Sequence, residues 1–267
     1  MRPNTVKLRL QKGESIVSGW VAMAGTFSAE IIGMSGCESV TVDLQHGMIG
    51  FDAALPILQT LSATPAVPIV RVPVNDGPQI MRALDAGAYG IICPMISTAE
   101  QARKFVSACR YPPNGDRSFG PSRGLLYGGA DYYQHADDVI LTLAMIETQL
   151  GLDNLDDILS VDGLDGIFIG PNDLSLALGH APSSEPTADV VVKAIAHILS
   201  RAQVHGKIPG IFCSSGQAAA MRIAQGFKFV VPGNDANMLK QAATAAMSAA
   251  VSAAKGGAQT PAGSSGY

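Results

Sequence analysis

The chain alternates between short apolar runs and longer segments with helical periodicity, and this alternation occurs eight times. The apolar runs are rich in Val and Ile and too short for helices, and they span residues 15–23, 39–45, 67–73, 90–95, 140–147, 166–170, 208–213 and 227–232. Near-continuous apolar runs of this length are typical of strands buried on both faces of a parallel sheet. The pattern therefore predicts eight βα units.

The segments between the runs carry signals for helix starts and ends. Ser97–Ala102 and Asn154–Leu159 read as first turns, and Asn75–Pro78 opens a helix for which Gly87 is a suitable C-cap. Eight such units close into a (β/α)₈ TIM barrel, which removes the edges of the sheet. A doubly wound open sheet would show a glycine-rich nucleotide turn after an early strand, and Ala24-Gly25-Thr26 does not provide one. The α/β barrel is the predicted fold.

Two segments depart from the simple repeat. Residues 111–138 form a long insertion between strands four and five, and a loop of that length is usually a lid or a subunit contact. We predict that Arg123, within this insertion, binds the far end of a substrate; a solvated surface arginine is the alternative. The domain spans residues 1–255 and ends in a helix over the Ala-rich stretch 242–254. Residues 256–267 are polar and Gly-rich, and we predict a flexible tail.

Composition narrows the class of protein. The 267 residues suit one barrel of typical size, about 250 residues, and the hydrophobic content of 47% supports a large core. The net charge of -4 without a basic patch argues against a nucleic-acid partner. The N-terminus lacks a secretory signal, and no apolar run reaches the roughly 18 residues of a membrane span. Four widely spaced cysteines predict reduced thiols and a cytoplasmic location.

Ionisable residues interrupt or directly follow four of the apolar runs. They are Asp43 and His46 after strand two, Arg71 at strand three, Glu147 at strand five and Asp173 after strand six. Barrel enzymes build their active sites at the C-terminal ends of the strands, so all five residues are expected on one rim. Any single one could belong to a structural ion pair. The occurrence of five such residues at the ends of four strands favours a catalytic site.

The types of these residues suggest their roles. Glu147 and Asp173 offer hard oxygen donors on neighbouring strands, which suits Mg²⁺ or Mn²⁺ with positions left open for substrate. Asp43 lies close enough to orient the imidazole of His46 as a general base. Arg71 would place a cation beside a carboxylate or a developing enolate.

Other positions complete the predicted pocket. Trp20, the only tryptophan, would wall it, although a core or interface role is the alternative. Phe212 lies near the end of the seventh run and is assigned to substrate binding. The turns Cys213–Gln217 and Pro232–Asp235 follow strands seven and eight, where barrels often bind phosphate, and could hold a substrate carboxylate. The other four histidines have no nearby ligand partner in the sequence and are expected to be ordinary.

The sequence resembles the metal-dependent (class II) pyruvate aldolases, in particular those acting on 4-hydroxy-2-oxoheptanedioate and 2-keto-3-deoxy sugar acids. The resemblance runs from about Gly13 to Lys255. It is carried by Asp43-Leu44-Gln45-His46, Val70-Arg71, Tyr111-Pro112-Pro113, Ile146-Glu147-Thr148 and the block from Gly163 to Ser175, which contains Gly170-Pro171-Asn172-Asp173-Leu174-Ser175.

The resemblance implies specific roles for these residues. Glu147 and Asp173 would bind the divalent metal, Mg²⁺ or Mn²⁺ with Co²⁺, Ni²⁺ or Zn²⁺ as alternatives, and Asp43 with His46 would be the catalytic dyad. Arg71 would contact the keto oxygen, and the backbone around Asn172 and Asp173 would hold the pyruvate carboxylate. The family also implies a homo-oligomer, commonly a hexamer built as a trimer of dimers that exchange a C-terminal helix.

Two positions depart from the family pattern. The usual Asp-Gly-Glu-His motif here has Leu44 and Gln45 in the middle, and Met145 replaces the glutamine two residues before the metal-binding glutamate. Met145 and Glu147 share a strand face. Gln45 and Met145 therefore predict a substrate pocket with fewer charges and hydrogen-bonding groups, and a relaxed choice of donor.

The predicted function is reversible aldol cleavage of 4-hydroxy-2-oxo acids to pyruvate, or hydroxypyruvate, and an aldehyde through a metal-stabilised enolate. Two alternatives remain open. A CoA-thioester lyase of the citramalyl or malyl type would need basic residues for the CoA phosphates, and the rim loops are poor in them. A non-catalytic barrel subunit would not need the set formed by His46, Arg71, Glu147 and Asp173.

Overall fold

The computed structural model describes residues 1–256 as a closed barrel of eight parallel strands in sequence order. The ring closes where Ile16 of the first strand pairs with Phe229 of the last. All eight predicted strands are confirmed, each within its predicted run. The strands are β1 Ile16–Val21, β2 Ser39–Asp43, β3 Val67–Arg71, β4 Gly90–Cys93, β5 Leu141–Met145, β6 Gly166–Ile169, β7 Ile208–Phe212 and β8 Phe229–Val231.

Helices between the strands form the outer layer, and their ends follow local capping. Asp76 and Thr98 cap two of the predicted helices by accepting the N–H of Gln79 and Gln101. The helices of residues 1–256 are α1 Thr5–Gln11, α2 Thr26–Gly33, α3 Phe51–Leu61, α4 Gly77–Asp85, α5 Ala99–Cys109, α6 Ser122–Gly128, α7 Tyr132–Val139, α8 Gln149–Asp153, α9 Leu155–Leu159, α10 Pro171–Ala177, α11 Asp189–Val204, α12 Gly216–Gln225 and α13 Asp235–Gly256.

The core fills both the barrel interior and the layer between strands and helices. Every residue of β2 to β6 is buried, which is why their sequences are apolar almost throughout. Inside the barrel, a Cβ at Gly210 would come within 2.8 Å of the ring of Phe168. Glycine at this position therefore makes room for the aromatic layer beneath the pocket.

Helix α1 closes the N-terminal end of the barrel and was not predicted. The Asn4 amide donates to the carbonyl oxygens of Tyr89 and Val139, and Lys7 Nζ donates to that of Ile140. These carbonyls precede β4 and β5, so the polar side chains of Asn4 and Lys7 connect the helix to the strand starts. Sequence periodicity does not detect a helix of seven residues held in this way.

The insertion 111–138 packs at the N-terminal end of the barrel, away from the strand ends that carry the candidate site. Tyr132 of the insertion stacks on Tyr89, which precedes β4, and Tyr127 contacts the same ring edge-on. Arg117 is fully buried and pairs with Asp85 at the end of α4. The prediction that this segment forms a lid over the pocket of its own chain is therefore wrong. Its predicted role as a subunit contact stays a prediction.

Helix α13 confirms the predicted C-terminal helix but hardly touches its own barrel. Residues 237–254 are exposed along their whole length, and Leu239, Met247 and Val251 expose about half or more of their surface. Apart from Gly256, which ends α13, the predicted tail lies outside the described residues. Within residues 1–256, we find no helix with the length and hydropathy needed to cross a membrane.

Candidate active site

A pocket of about 210 Å³ opens at the C-terminal ends of the strands. Eight residues singled out from the sequence line it: Trp20, Asp43, His46, Arg71, Met145, Asn172, Asp173 and Phe212. They come from six of the eight βα units and are brought together by closure of the barrel. This is the end at which barrel enzymes place their active sites.

A larger cavity of about 490 Å³ lies at the opposite end, between α1 and the starts of β5 and β6. Its main charged groups already bind one another, since Lys7 Nζ lies 3.0 Å from Asp165 and Arg110 lies 3.7 Å from the same carboxylate. This arrangement is that of a structural network that anchors α1. The smaller pocket is therefore the better candidate for catalysis.

Asp43 and Arg71 form a buried ion pair in the floor of the pocket. Nε and Nη2 of Arg71 donate to the two carboxylate oxygens at 2.8 and 2.6 Å, and Trp20 Nε1 donates to Oδ2 at 3.2 Å. Burial by itself would raise the pKa of Asp43, but the hydrogen bonds and charge of Arg71 outweigh it and hold that pKa below its usual value. The pair fixes the guanidinium against the Trp20 ring.

His46 lies in the pocket lining, but Asp43 does not orient its imidazole. Asp43 Oδ1 instead accepts the backbone N–H groups of Gln45 and His46 at 3.0 and 3.2 Å. In the described structure no hydrogen bond joins the two side chains. The predicted side-chain dyad is thus wrong in this form, because Arg71, Trp20 and the backbone saturate the carboxylate. Asp43 positions the turn that carries His46 rather than its ring.

Glu147 lies just beneath the pocket lining, two residues beyond the end of β5. Its side chain is buried, and Oε1 accepts the backbone N–H of Met95 at 2.9 Å. Met95 has a φ of 59°, a left-handed conformation that costs energy for a residue with a Cβ. Burial is the main reason why the pKa of Glu147 rises to about 7, and the nearby charge of Asp173 raises it further.

Asp173 lies in the first turn of α10, directly after β6. Gly170 and Pro171 begin this helix, so that the turn follows the strand without an intervening loop. A Cβ at position 170 would collide with Glu147 Oε2 and would lie 3.1 Å from Met145 Cε. Glycine at 170 therefore lets the Glu147 carboxylate and the Met145 side chain approach the start of α10.

The donor set fits a divalent cation. Glu147 is buried, and no cation among residues 1–254 forms an ion pair with it, which makes its charged form unfavourable. The nearby carboxylate of Asp173 adds to this. One divalent ion between Glu147 and Asp173 would remove both penalties. In the described part of the chain no group of three or more His, Cys, Asp or Glu residues is placed to hold a metal. An ion held by these two carboxylates would have coordination positions for water and substrate.

A model of the HpcH/HpaI aldolase/citrate lyase family matches residues 18–242, most of the chain. The chain belongs to this family. A hydroxypyruvate/pyruvate aldolase of Rhizorhabdus wittichii is similar to it, with 46% identity over 240 residues that cover 90% of this chain and 96% of the relative. A 5-keto-4-deoxy-D-glucarate aldolase of Shigella dysenteriae is 37% identical over 243 residues, 90% of this chain and 94% of the relative.

Solved structures agree with this family membership. An HpcH/HpaI aldolase/citrate lyase family protein from Burkholderia cenocepacia superposes with a TM-score of 0.87 at 28% identity, covering 92% of this chain and 99% of that protein. The resemblance to class II aldolases, the single-domain barrel and the aldolase class are therefore confirmed. The individual roles of the site residues stay predictions.

Two residues assigned to this aldolase's pocket lie elsewhere. Arg123 donates to the carbonyl oxygens of Ala86 and Leu58, at the C-terminal ends of α4 and α3. Its predicted contact with substrate in its own chain is wrong, because these helix ends lie at the opposite end of the barrel. Gln45 does not line the pocket either, and its Oε1 is buried without a hydrogen-bond partner among the described residues.

Several lining residues were missed by the sequence analysis. The aromatic floor includes Phe168, stacked on Trp20 with ring centroids 5.8 Å apart. The rim carries small and polar residues: Ala22, Ser184, Asn234 and Asn237. Asn234 belongs to the Pro232–Asp235 turn, which the sequence had associated with a substrate carboxylate. Ser184 is an isolated serine in the loop after α10 and gives no sequence signal. Its placement depends on Asn172, whose amide donates to Ser184 Oγ at 3.2 Å.

Proposed function

We propose that this aldolase catalyses the reversible cleavage of 4-hydroxy-2-oxo acids into pyruvate, or hydroxypyruvate, and an aldehyde. The observation that carries the proposal is the buried Glu147 carboxylate beside Asp173, at the edge of a pocket that also contains Arg71 and His46. The names of the Rhizorhabdus and Shigella relatives support the same chemistry.

Glu147 and Asp173 would hold the divalent ion, Mg²⁺ or Mn²⁺, with Co²⁺, Ni²⁺ or Zn²⁺ as alternatives. When bound, such an ion supplies Lewis-acid polarisation of the donor's keto group. The Met95 N–H fixes one oxygen of Glu147, which leaves Oε2 directed at the start of α10. The strained Met95 backbone therefore orients the carboxylate.

The chain's own residues would position the donor and move its proton. Arg71 is fixed through Nε and Nη2, which leaves Nη1 for the negative charge that develops on the donor. His46 removes the C3 proton in the addition direction and returns it in the cleavage direction. Trp20, Phe168 and Phe212 pack together as an apolar wall that excludes water from the donor.

A donor-by-acceptor screen tests the proposal. Pyruvate and hydroxypyruvate are offered with a panel of aldehydes, with added metal and with EDTA, and pyruvate release from hydroxy-oxo acids is measured in reverse. We expect metal-stimulated activity that EDTA abolishes. Cleavage of citramalyl- or malyl-CoA without activity on free acids would favour the thioester lyase instead. Arg71 is the only Lys or Arg in the described pocket lining, so we expect no such outcome.

Met145→Gln is expected to narrow donor choice towards pyruvate. Met145 is buried, lines the pocket and approaches Gly170, so its thioether borders the donor site. An apolar wall discriminates an added hydroxyl or methyl by only about 1–3 kcal/mol, so the wild type is expected to accept hydroxypyruvate and 2-oxobutyrate. Glutamine would restore the amide that the family pattern carries at this position, and the donor preference is expected to move towards pyruvate with it. The measurement is the ratio of kcat/KM for pyruvate and hydroxypyruvate.

The matched control for this substitution is Met221→Gln, at an exposed position on α12. The control is expected to leave the ratio unchanged. A wild type confined to pyruvate, with a ratio that Met145→Gln does not move, would contradict a relaxed donor site.

We also propose that the chain forms a homo-oligomer through α13, and the hexamer that the resemblance implies is the form we propose. Helix α13 exposes an apolar stripe that includes Leu239, Met247 and Val251. Helix α2 follows β1, the strand next to β8. Phe27 and Ile31 on α2 and Met34 at its C-cap expose more than half of their surface. Exposed apolar surface of this extent is typical of a contact with another chain.

Met247→Lys is expected to lower the oligomeric state, because it places a charge within the apolar stripe of α13. Ser248→Lys, one residue along and outside the stripe, is the matched control and is expected to leave assembly unchanged. Sedimentation velocity at several protein concentrations measures both variants. Equal sedimentation of the wild type and Met247→Lys would exclude α13 as the contact.

A further inference from the structure

A buried carboxylate at the start of α13 lies outside the groups assigned to the reaction. The Asp235 side chain is 5% exposed. Its Oδ1 accepts the backbone N–H of Ala22 at 2.8 Å, and its Oδ2 accepts the Ser28 hydroxyl at 3.1 Å and the Met23 N–H at 3.4 Å. Asp235 therefore binds both the loop that follows β1 and the first turn of α2, more than 200 residues earlier in the chain.

The same loop supports the turn that carries His46. The Ala22 carbonyl accepts the N–H of Met48 at 2.8 Å, and Ala22 also lines the pocket. Between His46 and Met48, Gly47 packs so closely that an added Cβ would lie 3.2 Å from the Cα and carbonyl oxygen of Ala22. One side of the His46 turn thus rests on Ala22.

The other side of the turn is held by Asp43, which accepts the His46 N–H at 3.2 Å. The imidazole itself donates no hydrogen bond to Asp43. The ring's position therefore depends on its backbone, which is supported from two directions. Asp43 supplies one support, and the path from Met48 through Ala22 to Asp235 supplies the other.

We propose that Asp235 is a positioning residue for His46, acting through Ala22 and Met48. The proposal rests on the proposed function, because it assigns the proton transfer to His46. Loss of the carboxylate would leave the Ala22 and Met23 N–H groups without their acceptor and would loosen the turn. A displacement of about 1 Å in a reacting group can cost on the order of 100-fold in rate.

The test compares Asp235→Ala and Asp235→Asn with the wild type in the full chain. We expect Asp235→Ala to lower kcat about 10- to 100-fold with the donor KM changed less than about twofold, because the His46 turn loosens while Arg71 stays fixed by Asp43. Asn keeps an acceptor for the Ala22 N–H, so it is expected to recover most of kcat. In ¹³C-histidine NMR, we expect the His46 ring resonance to shift most in Asp235→Ala. In Asp235→Asn it is expected to shift in the same direction by a smaller amount.

Asp165→Asn is the matched control. That carboxylate binds Lys7 and Thr142 at the opposite end of the barrel, so its loss should affect stability but neither kcat nor the His46 resonance. An unmoved His46 resonance in the Asp235 variants would overturn the proposal, and Asp235→Asn decides alone if Asp235→Ala does not fold. The NMR readout needs no turnover. Absence of aldolase activity in the wild type would therefore contradict only the proposed function.

Discussion

Glu147→Gln is expected to abolish aldol turnover and at the same time to stabilise the metal-free protein above neutral pH. The wild-type carboxylate has its pKa raised from 4.5 to about 7, mainly by burial. The charged form of Glu147 is therefore less favourable in the folded than in the unfolded state. As a result, the free energy of unfolding falls as the pH rises from 4.5 to 7. Glutamine keeps an acceptor for the Met95 N–H but carries no charge. At about 1.4 kcal/mol per pKa unit, the gain at pH 8 is on the order of 3 kcal/mol.

Urea unfolding of the EDTA-treated proteins at pH 4 and pH 8 measures this effect. The gain is expected at pH 8 and should vanish at pH 4, where wild-type Glu147 is protonated in both states. Asp157→Asn, which removes an exposed carboxylate on α9, is the matched control and should change neither stability nor turnover. A Glu147→Gln protein that is less stable than the wild type at pH 8, or that retains full turnover, would show that the carboxylate is not held for a cation.

The sequence predicts the barrel well because burial on both faces leaves a strong local signature. Each strand of residues 39–169 is fully buried, so its apolar run is visible without any knowledge of its neighbours. The barrel architecture then determines which end carries the site. That is why Arg71 and Asp173, about 100 residues apart, could be assigned to one pocket.

Details that depend on distant contacts could not be predicted. The residues around Arg123 in the sequence do not indicate which end of the barrel its loop packs against. That packing depends on hydrogen bonds from Arg123 to carbonyl oxygens at the ends of α3 and α4. Likewise, a spacing of three residues between Asp43 and His46 allows either a side-chain or a backbone contact. In the structure, Arg71 binds both carboxylate oxygens of Asp43, and the contact with His46 is made through the backbone.

Asp43→Asn is expected to lower both stability and activity strongly. The substitution removes the charge that pairs with buried Arg71 and leaves the guanidinium uncompensated, which typically costs 3–5 kcal/mol, so we expect about that loss in the free energy of unfolding. It also releases Arg71 from its fixed position beside the donor, so kcat/KM is expected to fall on the order of 100-fold. Urea unfolding and steady-state kinetics at one pH above 7 measure the two effects.

Asp85→Asn separates the two consequences of breaking an Arg–Asp pair. Asp85 binds Arg117, which is fully buried, but this pair joins α4 to the insertion at the far end of the barrel. We expect this variant to lose stability while keeping wild-type kcat/KM, since no pocket residue moves. If Asp43→Asn loses stability but keeps its kcat/KM as Asp85→Asn does, then the Asp43–Arg71 pair is structural. A loss of kcat/KM confined to Asp43→Asn would instead require that the donor meets a guanidinium held in place by Asp43.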